Sequence, residues 1–486
     1  MKGKHFIGKQ LFEVSFGSSR NAYAVQQKLS ELFWHKIVPE LDLLFGRLIS
    51  NDEVITMDKI VLDLGEVSLK GDGINAFVNR ILALLKEELN TIEFSANFSN
   101  TSIGGVGIKR KQPLREHYFD LWLYWLEKGV FPSYVIHPEP DWIEQVLETL
   151  ALDYKAIRRL EEISKRSPVA VKRLVLQHQP EDLKSLAEVF TGFSQNELLS
   201  FLKELSTIFK NENSLKGSIV IRDLEVTFWV HVFDHIIVKG HKKSAFQLCT
   251  ELLKLPIICT YYPLFKAISN KKSIEYPVLV KVISKAPDIR KNRGMVEASI
   301  GLAKEKPKPI IDEIRALESQ NPTDSTQFFR NAGVILIHTF LSQFFKKINL
   351  LEGKEFKNPE SRSRAAVLIH YLATGQEKVP EYELILPKFL CGIPPNVPLD
   401  HMLKLTTEEK QEANTLLQAA IDHWGALGNT SPNGLREAFL QREGKLIKEE
   451  TGWKLYMEQK AQDLLIDRLP WNISLVKFPW MKDLLR

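Results

Sequence analysis

Cysteine is scarce in this chain: three in 486 residues, Cys249, Cys259 and Cys391. They are widely spaced and form no CxxC pair, which argues against a disulfide framework or a cysteine-built zinc site and points to synthesis in a reducing, cytosolic compartment. Long apolar runs are missing too. No stretch approaches the roughly 18 apolar residues of a membrane helix. Val334 to Ile337 is only core-sized, and Met1-Lys2-Gly3-Lys4-His5 leads into an amphipathic stretch with no apolar signal core. Excess charge is small: 65 basic against 60 acidic side chains give a net +5. Nucleic-acid binding wants a concentrated basic face. The densest basic cluster, Lys109-Arg110-Lys111, reads as a solvated linker.

Catalytic motifs are equally sparse. There is no Gly-x-Ser-x-Gly elbow. Gly104-Gly105-Val106-Gly107 lacks the Gly-Lys-Ser/Thr ending of a phosphate loop. His231 and His235 share a helix face, but Val232 stands where a zinc protease needs Glu, and no third ligand is evident. His338 and His370 lie in apolar surroundings and read as core histidines. Cys391 has no activating neighbour and reads as a small buried hydrophobe.

What is present is helical periodicity over most of the chain. A length of 486 residues suggests roughly two to four domains. Residues 5–16 alternate as a strand, then apolar positions from Val25 to Leu48 recur at helical spacing, with Pro39 splitting or kinking the helix. Ile55 to Leu64 reads as a second strand, with Asp63 as a turn ligand before Gly65. Gly73 to Leu89 reads as a helix, and Thr91 to Phe98 as a further strand. Residues 1–100 therefore predict a small strand–helix–strand–helix domain. Residues 101–113 predict a Gly-rich basic linker.

Residues 114–320 predict a central helical array, with helices at Leu114–Leu126, Trp142–Leu150, Tyr154–Ser164, Pro168–Leu176, Gln179–Thr191, Asn196–Lys210, Asp223–Val238, Ser244–Leu253 and Ile310–Leu317. No fixed-period repeat is found. Residues 321–486 predict a C-terminal helical domain. Its helices are Val334–Phe345, Arg362–Leu372, Glu383–Leu390, Thr406–Trp424 and a Ser431-Pro432 start running to about Arg442. It closes with a hairpin, Lys445–Lys448 and Trp453–Glu458, a short helix at Ala461–Arg468, and a third strand at Ile473–Phe478. The fold class is mainly α with α+β ends.

The residues singled out are in this last third. Arg436, Glu437, Arg442 and Glu443 suit either a buried ion-pair network or an exposed partner-binding stripe, with Arg436 and Glu443 on one helix face. Trp424, Trp453, Trp471 and Trp480 suit either a rigid aromatic core or an aromatic docking surface.

Several motifs occur together: His5-x-Ile7-x-x-Gln10-x-x-Glu13-Val14, Ile60-x-Leu62-Asp63-Leu64-Gly65, Asn331-Ala332-Gly333, Pro380-Glu381-Tyr382-Glu383-Leu384, Leu390-Cys391-Gly392, Leu435-Arg436-Glu437-x-Phe439-Leu440-x-Arg442-Glu443-Gly444 and Leu469-Pro470-Trp471. In combination they resemble the contractile injection system tape measure family, encoded with phage-tail-like bacterial particles. Residues 115–320 carry little of the resemblance beyond Trp125-Leu126-x-x-Gly129-x-x-Pro132. It implies a structural role setting inner-tube length, with no enzyme activity and no cofactor. The implied partners are inner-tube, baseplate-hub or cap proteins. It also implies synthesis in the bacterial cytoplasm and a place in the released particle. A soluble adaptor or chaperone of the same system is the alternative.

A ruler of this size, fully helical, would reach about 730 Å at about 1.5 Å per residue. With 23 prolines and 25 glycines, and no sustained heptad, the sequence favours a compact body with a radius of gyration of about 23 Å.

Overall fold

The computed structural model describes residues 5, 7, 8, 10–15, 22–91, 109–132, 138, 142–212, 220–272, 274–285, 326–450 and 452–486. The chain forms two compact units: residues 1–122 with 134–156, and residues 123–133 with 157–486. The fold is mainly α with small antiparallel sheets.

In the first unit the chain runs α1 (Ala22–Leu32), a π turn (Phe33–Ile37), α2 (Val38–Leu48), β1 (Glu53–Met57), α3 (Gly73–Asn90) and β2 (Lys109–Pro113). It continues into the first part of α4 (Leu114–Lys128), α5 (Trp142–Leu152) and the first residues of α6 (Tyr154–Arg166); the rest of α4 and of α6 belongs to the second unit. The π turn ends two residues before Pro39, which has no N–H to offer the His35 carbonyl and so cannot hold the α register there. Leu29, Ile37, Leu41, Phe77, Ile81 and Leu85 form the core of α1–α3.

Three expectations are corrected here. The described residues of 5–15 form no strand. Alternation alone supplies no pairing partner, and Phe12 packs its ring 6.1 Å from Phe33. The second strand ends at Met57 rather than Leu64, and Asp63 Oδ1 accepts the Gly65 N–H at 2.9 Å in a turn. Residues 109–113 are a strand antiparallel to β1, not linker. Arg110 pairs with Asp120 and Lys111 with Glu53, each at 3.0 Å, so acidic neighbours hold the basic cluster in place. The order among the described residues is helix–strand–helix–strand. The strand expected at 91–98 and the helix expected at 310–317 fall outside the described residues beyond Thr91.

The second unit holds the helical array: α7 (Pro168–Gln177), α8 (Pro180–Thr191), α9 (Asn196–Asn211), α10 (Ile221–Phe233, extended by a π turn Asp234–Val238), α11 (Ala245–Leu252), α12 (Pro256–Cys259), α13 (Tyr262–Lys271) and α14 (Pro277–Lys285). The C-terminal module follows. β3 (Thr326–Phe329) leads to a 3-10 turn (Ala332–Ile337), α15 (His338–Lys347), β4 (Leu351–Glu352) and β5 (Glu355–Phe356). Then come α16 (Pro359–Thr374), α17 (Ile385–Leu390), α18 (Thr407–His423) and α19 (Pro432–Leu435, extended by a π turn Arg436–Leu440). β6 (Gly444–Glu449), β7 (Gly452–Met457) and a 3-10 helix (Ala461–Arg468) complete it.

α16 is the hub. Ala365 to Ala373 are all buried, as expected of a helix apolar all round. α18 begins with a capping box: the Glu409 N–H donates to Thr406 Oγ1 at 3.2 Å, and the Thr406 N–H to Glu409 Oε2 at 2.7 Å.

The three-stranded sheet has the order β3-β6-β7. Residues 473–478 do not supply its third strand. β3 takes one edge of β6, and the tail takes the free edge of β7: the Leu455 N–H donates to the Arg486 carbonyl at 2.7 Å. Val476 makes only a bridge to Leu485. The long buried helix expected over Val334–Phe345 is a 3-10 turn followed by α15, a change of geometry at Ile337.

Candidate functional site

Arg436, at the start of its π turn, is buried. Its Nε donates to the Leu372 carbonyl (3.1 Å), at the C-terminus of α16 where carbonyls lack helical partners. Nη1 and Nη2 reach Asn433 and Asn414 at 2.7 and 3.0 Å, and the guanidinium lies over the Tyr371 ring. Burial, with no carboxylate paired to it among the described residues, pulls its pKa below the usual arginine value. Arg442 is also buried, donating to Asp463 Oδ1 at 2.5 Å and to the Glu458 and Ala438 carbonyls. Glu437 and Glu443 face solvent. The seven-residue spacing therefore brings no Arg436–Glu443 pair together: the π turn adds to the turn length and breaks the 3.6-residue geometry behind it.

Trp471, half-buried, donates from Nε1 to the Leu336 carbonyl at 2.7 Å and meets Phe340 edge-on. Trp480 is buried, donates to the Leu390 carbonyl at 2.9 Å and stacks on Phe478 at 5.0 Å. Trp424 donates to the Leu465 carbonyl at 2.9 Å. All three indoles thus tie distant segments of the module together.

His231 and His235 have rings 4.6 Å apart. Burial, then His231, Lys239 and Lys243, pull His235 down to about 4. Among the described residues no group of three or more His, Cys, Asp and Glu is arranged to hold a metal ion. His338 lies with Nδ1 2.9 Å from the Ile335 carbonyl. His370 is buried, and desolvation lowers it to about 4. Cys391 is buried and its thiol is pushed up by burial, the opposite of an activated nucleophile.

The strongest constellation lies where sequence reasoning placed nothing. Arg173 of α7, Glu381 of the short 3-10 turn Glu381–Glu383, and Lys388 of α17 are all essentially out of water. Arg173 Nε donates to Glu381 Oε2 at 2.8 Å, and Lys388 Nζ donates to the other carboxylate oxygen. Two cations share one carboxylate, so carbonyls supply the rest. Arg173 donates to Leu126 and, at 2.5 Å, to Asn396. Lys388 donates to Pro395 at 3.1 Å and Val397 at 2.8 Å. Burial wins over the pull of Glu381 and brings the Lys388 ammonium down to about 8. Gly129, at φ +80°, lets the chain end α4 against this cluster: a Cβ there would stand 2.3 Å from the Pro395 carbonyl oxygen.

Further contacts extend the seam between array and module. Arg222 grips Asp400 through Nε and Nη2 at 2.7 and 2.8 Å, and Gln177 donates to the Leu399 carbonyl at 2.6 Å. The arrangement offers no unpaired base or nucleophile. It holds two parts of one unit together. The only sequence signals were Glu381 inside the Pro380–Leu384 motif and Gly129 after Trp125-Leu126.

A family model described as contractile injection system tape measure protein matches residues 4–486. No curated protein and no solved structure matches the chain.

Proposed function

Because the chain belongs to the contractile injection system tape measure protein family, we propose that it is a structural assembly component that sets inner-tube length from a folded body, not as an extended rod. The family is a structural component of the particle and associates with tube and other particle proteins. The reading places the chain within the particle, against inner-tube, baseplate-hub or cap proteins, and assigns it no catalysis.

The observation that carries the folded-body reading is the Arg173–Glu381–Lys388 seam. Around it, Val130, Ile393 and Leu399 belong to the same apolar core as α16. An extended rod would give up that core together with a charge cluster whose partners come from four separate stretches of chain.

The test is deletion of the gene, with tubes measured by electron microscopy. Tubes of uncontrolled length, or none, are expected; unchanged particles would contradict the proposal. Mass spectrometry of purified particles should find the chain. Its absence would favour an adaptor or chaperone that binds through α7–α14.

A further inference from the structure

We propose that the outer face of the β3-β6-β7 sheet docks an extended acidic segment of another protein, with apolar residues between its carboxylates. The register sets two rows on this face, Phe328–Lys445–Tyr456 and Thr326–Ile447–Lys454. Their neighbours along each strand, Gln327, Phe329, Leu446 and Trp453, are buried on the other side. Tyr456 is 40% exposed. The ammonium groups of Lys445 and Lys454 lie 5.1 and 5.0 Å from its ring centre. This is a solvated cation–π pair of the kind that keeps both charges in place over an apolar platform. Lys454 is shifted upward first by its side-chain hydrogen bond and charge interaction with Tyr456 and then by the field of Glu449, and neither lysine forms an ion pair among the described residues.

The surroundings select the partner. At one end of the hairpin stand exposed Lys448, Glu449 and Glu450; at the other stand exposed Glu443 and Glu458. The cationic stripe is therefore short and bounded by acidic side chains. A nucleic-acid backbone running on past it would meet those carboxylates, whereas a short acidic peptide crossing the strands would not. In an extended strand of alternating Glu and apolar residues the carboxylates all fall on one side, so they can face the two ammonium groups together.

The experiment uses the full chain and a fluorescein-labelled peptide of alternating Glu and Val, read by fluorescence anisotropy. Binding that weakens with salt is expected. The Lys445→Glu, Lys454→Glu double variant should weaken it about tenfold or more, and Lys354→Glu on another surface should leave it unchanged. Circular dichroism of the double variant should match the parent, because both side chains are on the solvated face. Should that variant misfold, Tyr456→Ala serves instead. Absence of binding, binding indifferent to the charge reversal, or tighter binding of a single-stranded oligonucleotide would overturn the proposal.

Discussion

Arg173 and Glu381 are 208 positions apart in sequence and meet at 2.8 Å with no access to water. The carboxylate also neutralises Lys388, so it sets the charge balance of the whole seam. Glu381→Gln would leave two buried cations without a counter-ion and should cost about 3–5 kcal/mol. Urea unfolding of the second unit measures it as a lower midpoint. Adding Lys388→Met should recover part of the loss, because the two positions act on one cluster.

The Lys388 ammonium gives a pH signature. Unfolded, a lysine titrates near 10.5; in the fold, burial brings Lys388 down to about 8. Between those values the unfolded chain binds more protons, so this residue makes stability rise as pH rises through the window. The stability of the parent relative to Lys388→Met should therefore increase from pH 8 to pH 10.5. Urea midpoints of both proteins across that range check it, and a constant difference would count against a buried, charged Lys388.

Close packing at Gly333 makes a steric prediction. A Cβ there would lie 1.7 Å from the Phe439 carbonyl oxygen, whereas one at Gly425 meets nothing within 4 Å. Gly333→Ala should destabilise by about 3 kcal/mol or prevent folding, because backbone rather than a flexible side chain must move. Gly425→Ala should change stability by less than about 1 kcal/mol. Thermal melts of the two variants side by side measure the difference.

How far these features could be read from sequence follows from how local their causes are. The α7 and α8 boundaries emerged from apolar spacing and flanking prolines within about a residue, and the Thr406 and Ser431 starts from capping chemistry. Each of these is fixed by a few neighbouring residues. The strand expected at 5–16 failed because alternation names no partner. The third strand was misplaced because Thr326–Phe329 lies far upstream of β6, and nothing in either segment records the pairing.

The individual arginines were legible as unusual, but their partners were not. Arg436 is satisfied by the Leu372 carbonyl, which carries no sequence signal. The seam around Arg173 was missed for the same reason: four of its acceptors are main-chain oxygens.

The most direct test of the folded-body proposal is tube length as a function of chain length. Helical residues are inserted between positions 286 and 325, and inner tubes are measured by electron microscopy. The proposal predicts a peaked length distribution that does not move. Tubes that lengthen by about 1.5 Å for each inserted residue would contradict it and establish an extended ruler.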